Sequence, residues 1–321
     1  MTQLLAKETE ILEVMHTFRA MNTGVEITIF TTETDRAIAA GQRVEELFRD
    51  NEAALSRFRA QSELTKLNRA GYLENVSALL YDNIAAACRM HEFTGGIFDP
   101  TLLDALEAAG YDRSFELIAK GYPRLFTLHQ LDNFGRWKPQ DPHMIELDPA
   151  KKSIKLAPGV RIDLGGIAKG TTVDQAAGLL REAGFTDFMV SAGGDMYLEG
   201  KPPFHAEGWR VLVDDPNRKG AEPVAELFAS NEAVATSSST GRSWYLGRQR
   251  YHHLIDPRTH EPANTLIASV TVVAGSVQVA DVLAKTALIL GPEQTRQSGL
   301  IEKAGLKSLV FVTLEGEVIR L

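Results

Sequence analysis

RIDLGGIAKG TTVDQAAGLL REAGFTDFMV SAGGDMYLEG, residues 161–200, carries the pattern from which the fold is read. An apolar run ends at Asp163 as a short strand and meets the glycine pair Gly165 and Gly166, followed by Ala168, Lys169 and Gly170. Val173, Ala176, Ala177, Leu180 and Ala183 then recur at helical spacing, and Gly184 sits where a helix-terminating glycine belongs. Residues 188–190 read as a buried strand, closed by Gly193, Gly194 and Asp195. Strand, glycine turn, helix, strand and second glycine turn in this succession let backbone N–H groups approach a phosphate closely. The same pattern also fits an ordinary helix–strand connection whose glycines only make tight turns, and the stretch alone does not choose.

Outward from that stretch, residues 25–30 alternate apolar and polar, as a strand with one wet face does. Residues 33–50 read as a helix, Ser62 with Glu63 and Thr65 as a helix start, and residues 76–93 as an amphipathic helix. That helix ends at Thr94-Gly95-Gly96 and leads into the loop Ile97-Phe98-Asp99-Pro100-Thr101. The dispersed prolines of residues 110–160 mark a β-rich or irregular segment, with a strand pair at 144–147 and 153–156. Strands follow at 209–213, 224–228, 233–236 and 268–273. Residues 276–290 form a helix with Asp281 and Lys285 one turn apart on one face, and 309–312 pairs with 318–320 as a terminal hairpin. The fold class is α+β: mixed, largely antiparallel sheets with packed helices. One domain is expected over residues 18–321, with room for two subdomains, behind a polar lead at 1–17.

Composition narrows the function. The 321 residues, 44% hydrophobic and 24% charged, suit a soluble globular protein with a substantial core. A net charge of −8 argues against a sequence-independent nucleic-acid binder. The single cysteine, Cys88, lies in an apolar helical stretch, which excludes an internal disulfide and suits a buried structural thiol. No apolar run is long enough for a membrane span, and the first residues carry neither an export signal nor a lipid-attachment cysteine. A cytoplasmic protein is expected as written, and a periplasmic one if an export signal has been removed.

Eight short motifs occur in order: Met21-Asn22-Thr23, Ser62-Glu63-Leu64 with Leu67-Asn68, Gly96-Ile97-Phe98-Asp99-Pro100-Thr101, Asp163-Leu164-Gly165-Gly166-Ile167-Ala168-Lys169-Gly170, Gly193-Gly194-Asp195, Ala235-Thr236-Ser237, His253-Leu254-Ile255-Asp256-Pro257-Arg258-Thr259 and Ala280-Asp281. Together they resemble the ApbE family, the FAD:protein FMN transferases, from about residue 18 to 321. The resemblance implies an ApbE-like, T-fold-like architecture and an enzyme that splits FAD with the help of Mg²⁺. The FMN half would be joined through a phosphoester to a threonine of a target protein. On the same resemblance, Met21, Phe58, Ile97, Phe98 and Asp99 would enclose the isoalloxazine and ribityl end of FAD. Gly165 and Thr171 would lie against the pyrophosphate, and the backbone oxygen of Ala168 and the carboxylate of Asp281 would hold Mg²⁺. His253 would take the proton from the incoming hydroxyl.

Independent chemistry fits those roles. Pyrophosphate cleavage needs charge neutralisation and an aligned nucleophile, Mg²⁺ takes oxygen ligands, and histidine titrates near neutral pH. If His252 and His253 lie on a strand, only one points inward, and the motif match selects His253. Four positions depart from the family pattern: Asn22, Ser238 and His260 stand where glycine is usual, and Lys285 where a metal-binding threonine is common, with Thr286 beside it. An ammonium cannot ligate Mg²⁺. Three arrangements stay open: the Lys285 carbonyl coordinates the metal, its charge partly replaces the metal, or it only pairs with Asp281 in a metal-poor site. Two other activities also stay open, an FAD-binding protein without transfer and an FAD pyrophosphatase releasing FMN and AMP.

Overall fold

A computed structural model describes residues 10–121, 144–218, 220–246 and 248–321. The first nine residues of the expected lead, and positions 122–143 of the expected irregular segment, lie outside the described residues. The frame is an eight-stranded antiparallel sheet whose strands neighbour one another in sequence order. They are Leu12–Ala20, Thr23–Thr31, Phe188–Ala192, Asp195–Glu199, Glu232–Ser238, Ile267–Ala274, Ser308–Thr313 and Val318–Arg320. Everything else is inserted between consecutive strands. The mixed, largely antiparallel α+β class expected from the sequence is the class observed.

The two faces of this sheet are covered differently. Val25, Ile27 and Ile29 alternate onto one face with Phe188, Val190, Val270 and Val272, beneath helices Thr34–Leu55, Ala168–Glu182 and Val277–Gln297. Phe30, Met189, Val234 and Val273 point the other way and pack against Trp209 and Val211 of a separate hairpin. Ile267–Ala274 is therefore buried along its whole length and reads as a continuous apolar run. A second core gathers Leu64, Leu67, Leu80, Ile84, Ile154, Ile162, Leu164 and Ile167. It lies among helices Glu63–Ala70 and Ala78–Phe93 and a three-stranded sheet, of which Ile145–Asp148 and Ser153–Leu156 form the expected pair. The stretch 161–182 belongs to both: Ile162, Leu164 and Ile167 enter the second core, while Val173, Ala176, Ala177 and Leu180 enter the first.

Two expectations are corrected. The apolar run ending at Asp163 is not a strand. Asn68 takes both main-chain groups of Ile162 at 2.8 Å, and the Asp163 N–H donates to the Pro100 carbonyl at 2.8 Å, so no sheet partner is used. Conversely, residues 12–20, largely read as polar lead, form an edge strand. Its more buried positions hold Val14, His16, Phe18 and Ala20; a histidine among them, bonded to Glu45 at 2.8 Å, hides the period.

Caps and one close approach set the helices. Ser62 accepts from the Thr65 N–H at 3.0 Å, and Ser276 from the Val279 N–H at 3.3 Å, as N-caps do. Asp174 caps the same end of the Val277–Gln297 helix from outside, accepting from the N–H groups of Val277 and Gln278 at 2.8 and 2.9 Å. Gly170 permits that crossing, since a Cβ there would stand 2.9 Å from the backbone of Gln278. The helix runs past the expected end, kinking at Gly291 before Pro292. Cys88 lies half-buried in Ala78–Phe93, and burial pushes its thiol up to about 11, which keeps it protonated. Among the described residues no helix is long and apolar enough to cross a membrane.

Gly170→Val is expected to cost about 1–3 kcal/mol by overpacking the crossing. Gly178→Ala, whose Cβ meets nothing within 4 Å, is expected to leave stability unchanged or raise it by up to about 1 kcal/mol. Urea denaturation midpoints check both; an unchanged midpoint for Gly170→Val would contradict the crossing.

Candidate functional site

Where the two cores meet, a cavity of about 320 Å³ opens between the Gly165–Gly166 turn, the Ile97–Asp99 loop and the Val277–Gln297 helix. It adjoins a second space of about 370 Å³, and the two share Arg57, Phe58, Tyr111, Asp163, Gly165, Lys169 and Arg242. Each is of small-ligand size, and the pair together suits a ligand with two ends. A larger cavity of about 1020 Å³ lies elsewhere, where Arg161 pairs with Asp104 and Glu107.

The first cavity is built around buried charge. Lys285 donates from Nζ to the carbonyls of Gly166 and Asp281, each at 2.9 Å, and to Asp281 Oδ1. Lys169 pairs with Asp195 and stands 4.0 Å from Asp281 Oδ2, an oxygen with no hydrogen-bond partner. Burial opposes ionisation of Asp281, but Lys169 and Lys285 outweigh it and hold the carboxyl below the usual carboxylate range. Burial pulls the Lys169 ammonium down to about 8, with Asp281 opposing; contact with Asp195 further favours the charged form, so Lys169 is a cation at neutral pH. Arg57 binds Asp163 at 2.8 Å and lies over the rings of Phe58 and Tyr111, 4.1 and 4.8 Å from their centroids.

His253 closes one wall. Its Nδ1 lies 3.4 Å from the Arg242 carbonyl, and its ring meets Tyr111 edge-on with centroids 6.3 Å apart. Burial, reinforced by Arg242, His252 and Lys285, pulls the imidazole down to about 3, so it is neutral at physiological pH. His252 does not line the cavity; its Nε2 lies 3.1 Å from the Ala263 carbonyl and its Nδ1 accepts from the Leu254 N–H at 3.3 Å.

Of the residues singled out in the sequence, Phe58, Ile97, Phe98, Asp99, Gly165, His253, Asp281 and Lys285 line the first cavity. Met21 and Ala168 line the second. Thr171 lines neither: its hydroxyl donates to the Ile167 carbonyl at 3.2 Å and reaches Gln278 at 3.3 Å. Asp99 turns back on its own loop, accepting from the N–H and hydroxyl of Thr101 at 2.7 and 2.6 Å. Met21 and Asn22 form a two-residue hairpin turn with φ of 50° and 60°, and asparagine tolerates that left-handed backbone where glycine is usual. His260 likewise has φ of 60°, and Ser238 accepts from the N–H groups of Thr240 and Gly241 at 3.1 and 3.2 Å, fixing its turn. Lys169 and Asp195 stood in the motifs without a role; Arg57, Tyr111 and Arg242 are brought to the site by the fold.

Two of the donors expected for Mg²⁺ accept hydrogen bonds within the protein. The Ala168 carbonyl accepts from the Thr172 hydroxyl at 2.8 Å, and Lys285 covers Asp281 Oδ1. Among the described residues no group of three or more His, Cys, Asp or Glu could hold a metal ion.

The sequence profile of the ApbE family matches residues 21–308. The FAD:protein FMN transferase of Haemophilus influenzae is 27% identical over 258 residues, 79% of this chain and 73% of that protein. The crystal structure of the ApbE protein of Thermotoga maritima superposes with a TM-score of 0.83 and 27% identity, covering 96% of this chain and 97% of that one. The flavin transferase ApbE of Vibrio cholerae, 21% identical, gives 0.78 with 97% of both chains covered, a likeness of fold.

The neutral His253 implies an acid-sensitive fold. The unfolded chain binds this proton near pH 6.5 and the folded chain only near 3, so stability is lost as pH falls through that window. The slope from this residue is at most about 1.4 kcal/mol per pH unit. His253→Asn is expected to flatten the acid limb of denaturation midpoint against pH, and an unchanged limb would contradict the assignment.

Proposed function

The chain belongs to the ApbE family, and on that footing we propose that it is an FAD:protein FMN transferase, as its curated relatives are named. FAD is the substrate, and a target protein supplies a threonine hydroxyl. The observation that carries this is the cavity in which the Lys169 and Lys285 ammonium groups and a neutral imidazole surround one space beside a glycine turn.

In this reading the flavin end lies among Phe58, Ile97, Phe98 and Met21, and the diphosphate lies by Gly165, Lys169 and Lys285. Thr171 is left out of the phosphate contacts, because its hydroxyl is engaged within its own helix and with Gln278. The threonine oxygen attacks the phosphorus of the FMN half. A new P–O bond forms there, the bond from that phosphorus to the bridging oxygen breaks, and AMP leaves with the bridging oxygen. His253 accepts the hydroxyl proton. Its imidazole is a weak base in the empty cavity, but the negative charge of a bound diphosphate raises its proton affinity. The ammonium groups stabilise charge on the phosphate oxygens throughout. No step is assigned to Mg²⁺, since Ala168 and Asp281 do not present a free set of donors.

Incubating the protein with FAD and a target domain carrying an acceptor threonine is expected to release AMP and to give the target the mass of an attached FMN. His253→Ala is expected to slow this by roughly 10²–10⁴-fold, the usual worth of a general base. Intact FAD and an unchanged target, or undiminished product from His253→Ala, would overturn the assignment; AMP with free FMN and an unmodified target would point to pyrophosphatase activity.

A further inference from the structure

Lys285 ends among oxygens drawn from two segments. Its Nζ reaches three oxygens, the carbonyls of Gly166 and Asp281 and the Oδ1 of Asp281. An ammonium has three N–H donors and no lone pair, so every donor is used. Lys285 and the Phe98 ring both lie against Gly166, where a Cβ would stand 3.1 Å from Phe98 and 3.4 Å from Lys285 Cε. Lys169 stands on the far side of the same carboxylate, between Asp195 and Asp281. The neighbouring hydroxyl, Thr286, is spent inside its helix on the Val282 carbonyl at 2.9 Å.

A divalent ion on Asp281 would have to share this space. Mg²⁺ demands a near-octahedral oxygen shell at about 2.1 Å, whereas Lys285 occupies the carbonyl and carboxylate oxygens that would start one. The ion would also stand against two fixed ammonium charges in a buried site, where repulsion is poorly screened. The unbonded Asp281 Oδ2 offers one donor, and it faces Lys169.

We propose that Lys285 is the resident cation of this site, supplying beside the diphosphate the positive charge that a bound Mg²⁺ would otherwise supply, so that FAD binds and is cleaved without a divalent ion. The proposal rests on the FMN-transferase reading for its substrate. It makes the lysine in the position of a metal-binding threonine a replacement for the metal rather than a bystander paired to a carboxylate.

The test is a titration of the full chain with Mn²⁺, followed by electron paramagnetic resonance with and without FAD. FAD binding is measured in parallel by calorimetry in EDTA and in Mg²⁺. Wild type is expected to bind no stoichiometric Mn²⁺ and to hold FAD equally in both buffers. Lys285→Thr, which removes the ammonium and offers a hydroxyl, is expected to take up one Mn²⁺ per chain with FAD and to bind FAD at least about tenfold more tightly in Mg²⁺ than in EDTA. Tight stoichiometric Mn²⁺ on wild type, or a tenfold Mg²⁺ dependence of its FAD affinity, would overturn the proposal whether or not the variant folds. Failure of FAD to bind wild type in either buffer would instead remove the transferase reading, while the Mn²⁺ titration of the free chain still decides the cation claim.

Discussion

A buried carboxylate held between two ammonium groups is the contact on which the rest of this structure depends. Asp281 lies almost wholly out of solvent, with Lys285 on one oxygen and Lys169 facing the other. Breaking a buried pair by deleting one partner typically costs about 3–5 kcal/mol, because the remaining charge stays desolvated. The two lysines come from different places, one a turn along the helix of Asp281, the other from the start of the Ala168–Glu182 helix. Satisfying the carboxylate therefore locks the two helices together, and Gly170 and Asp174 let them approach at that end. The Gly165–Gly166 turn, immediately before the second helix, is thereby placed against the cluster.

The architecture explains why a ligand site forms there. An antiparallel meander in sequence order provides a rigid floor, and its insertions carry the walls: the Ile97–Asp99 loop from one, Arg242 and His253 from another, Asp281 and Lys285 from a third. The first and third insertions share both cores, and the second packs Trp244 and Ile255 against Leu102 and Tyr111 of the first, so side chains from all three converge at the cavity. Phe58, 39% exposed, and the half-buried Ile97 add apolar surface beside that charge. A flat, apolar group joined to an anionic linkage is the shape such a lining accepts.

Much of this was legible in the sequence, for identifiable reasons. The strands at 25–30, 188–190 and 268–273 were readable because their inward positions are consistently apolar. The helix at 168–182 was readable because alanines, valine and leucine fill one stripe before Gly184. The His253 and Asp281 motifs are contiguous runs of residues, one at a bend between two short strands and one on a helix, and they could be recognised without knowing their partners. What failed to show did so because the deciding partner is remote. Nothing local reveals that Asn68 satisfies Ile162 in place of a neighbouring strand, or that Gln278 lies beside the Thr171 hydroxyl. Arg57, Tyr111 and Arg242 were given no role of their own, and contacts remote in sequence bring their segments together: Arg57 over the Tyr111 ring, and Tyr111 against Trp244 and His253.

Where the diphosphate of FAD settles, and which cation it meets there, decides how the linkage is held. A crystal structure of the full chain with FAD and Mn²⁺, with anomalous data for the metal, measures both at once. The diphosphate is expected between the Gly165–Gly166 turn and the Val277–Gln297 helix, with the Lys285 ammonium and His253 imidazole against it and no anomalous peak on Asp281. A manganese peak on that carboxylate, an imidazole turned away from the phosphorus atoms, or a cavity empty of flavin would contradict this arrangement.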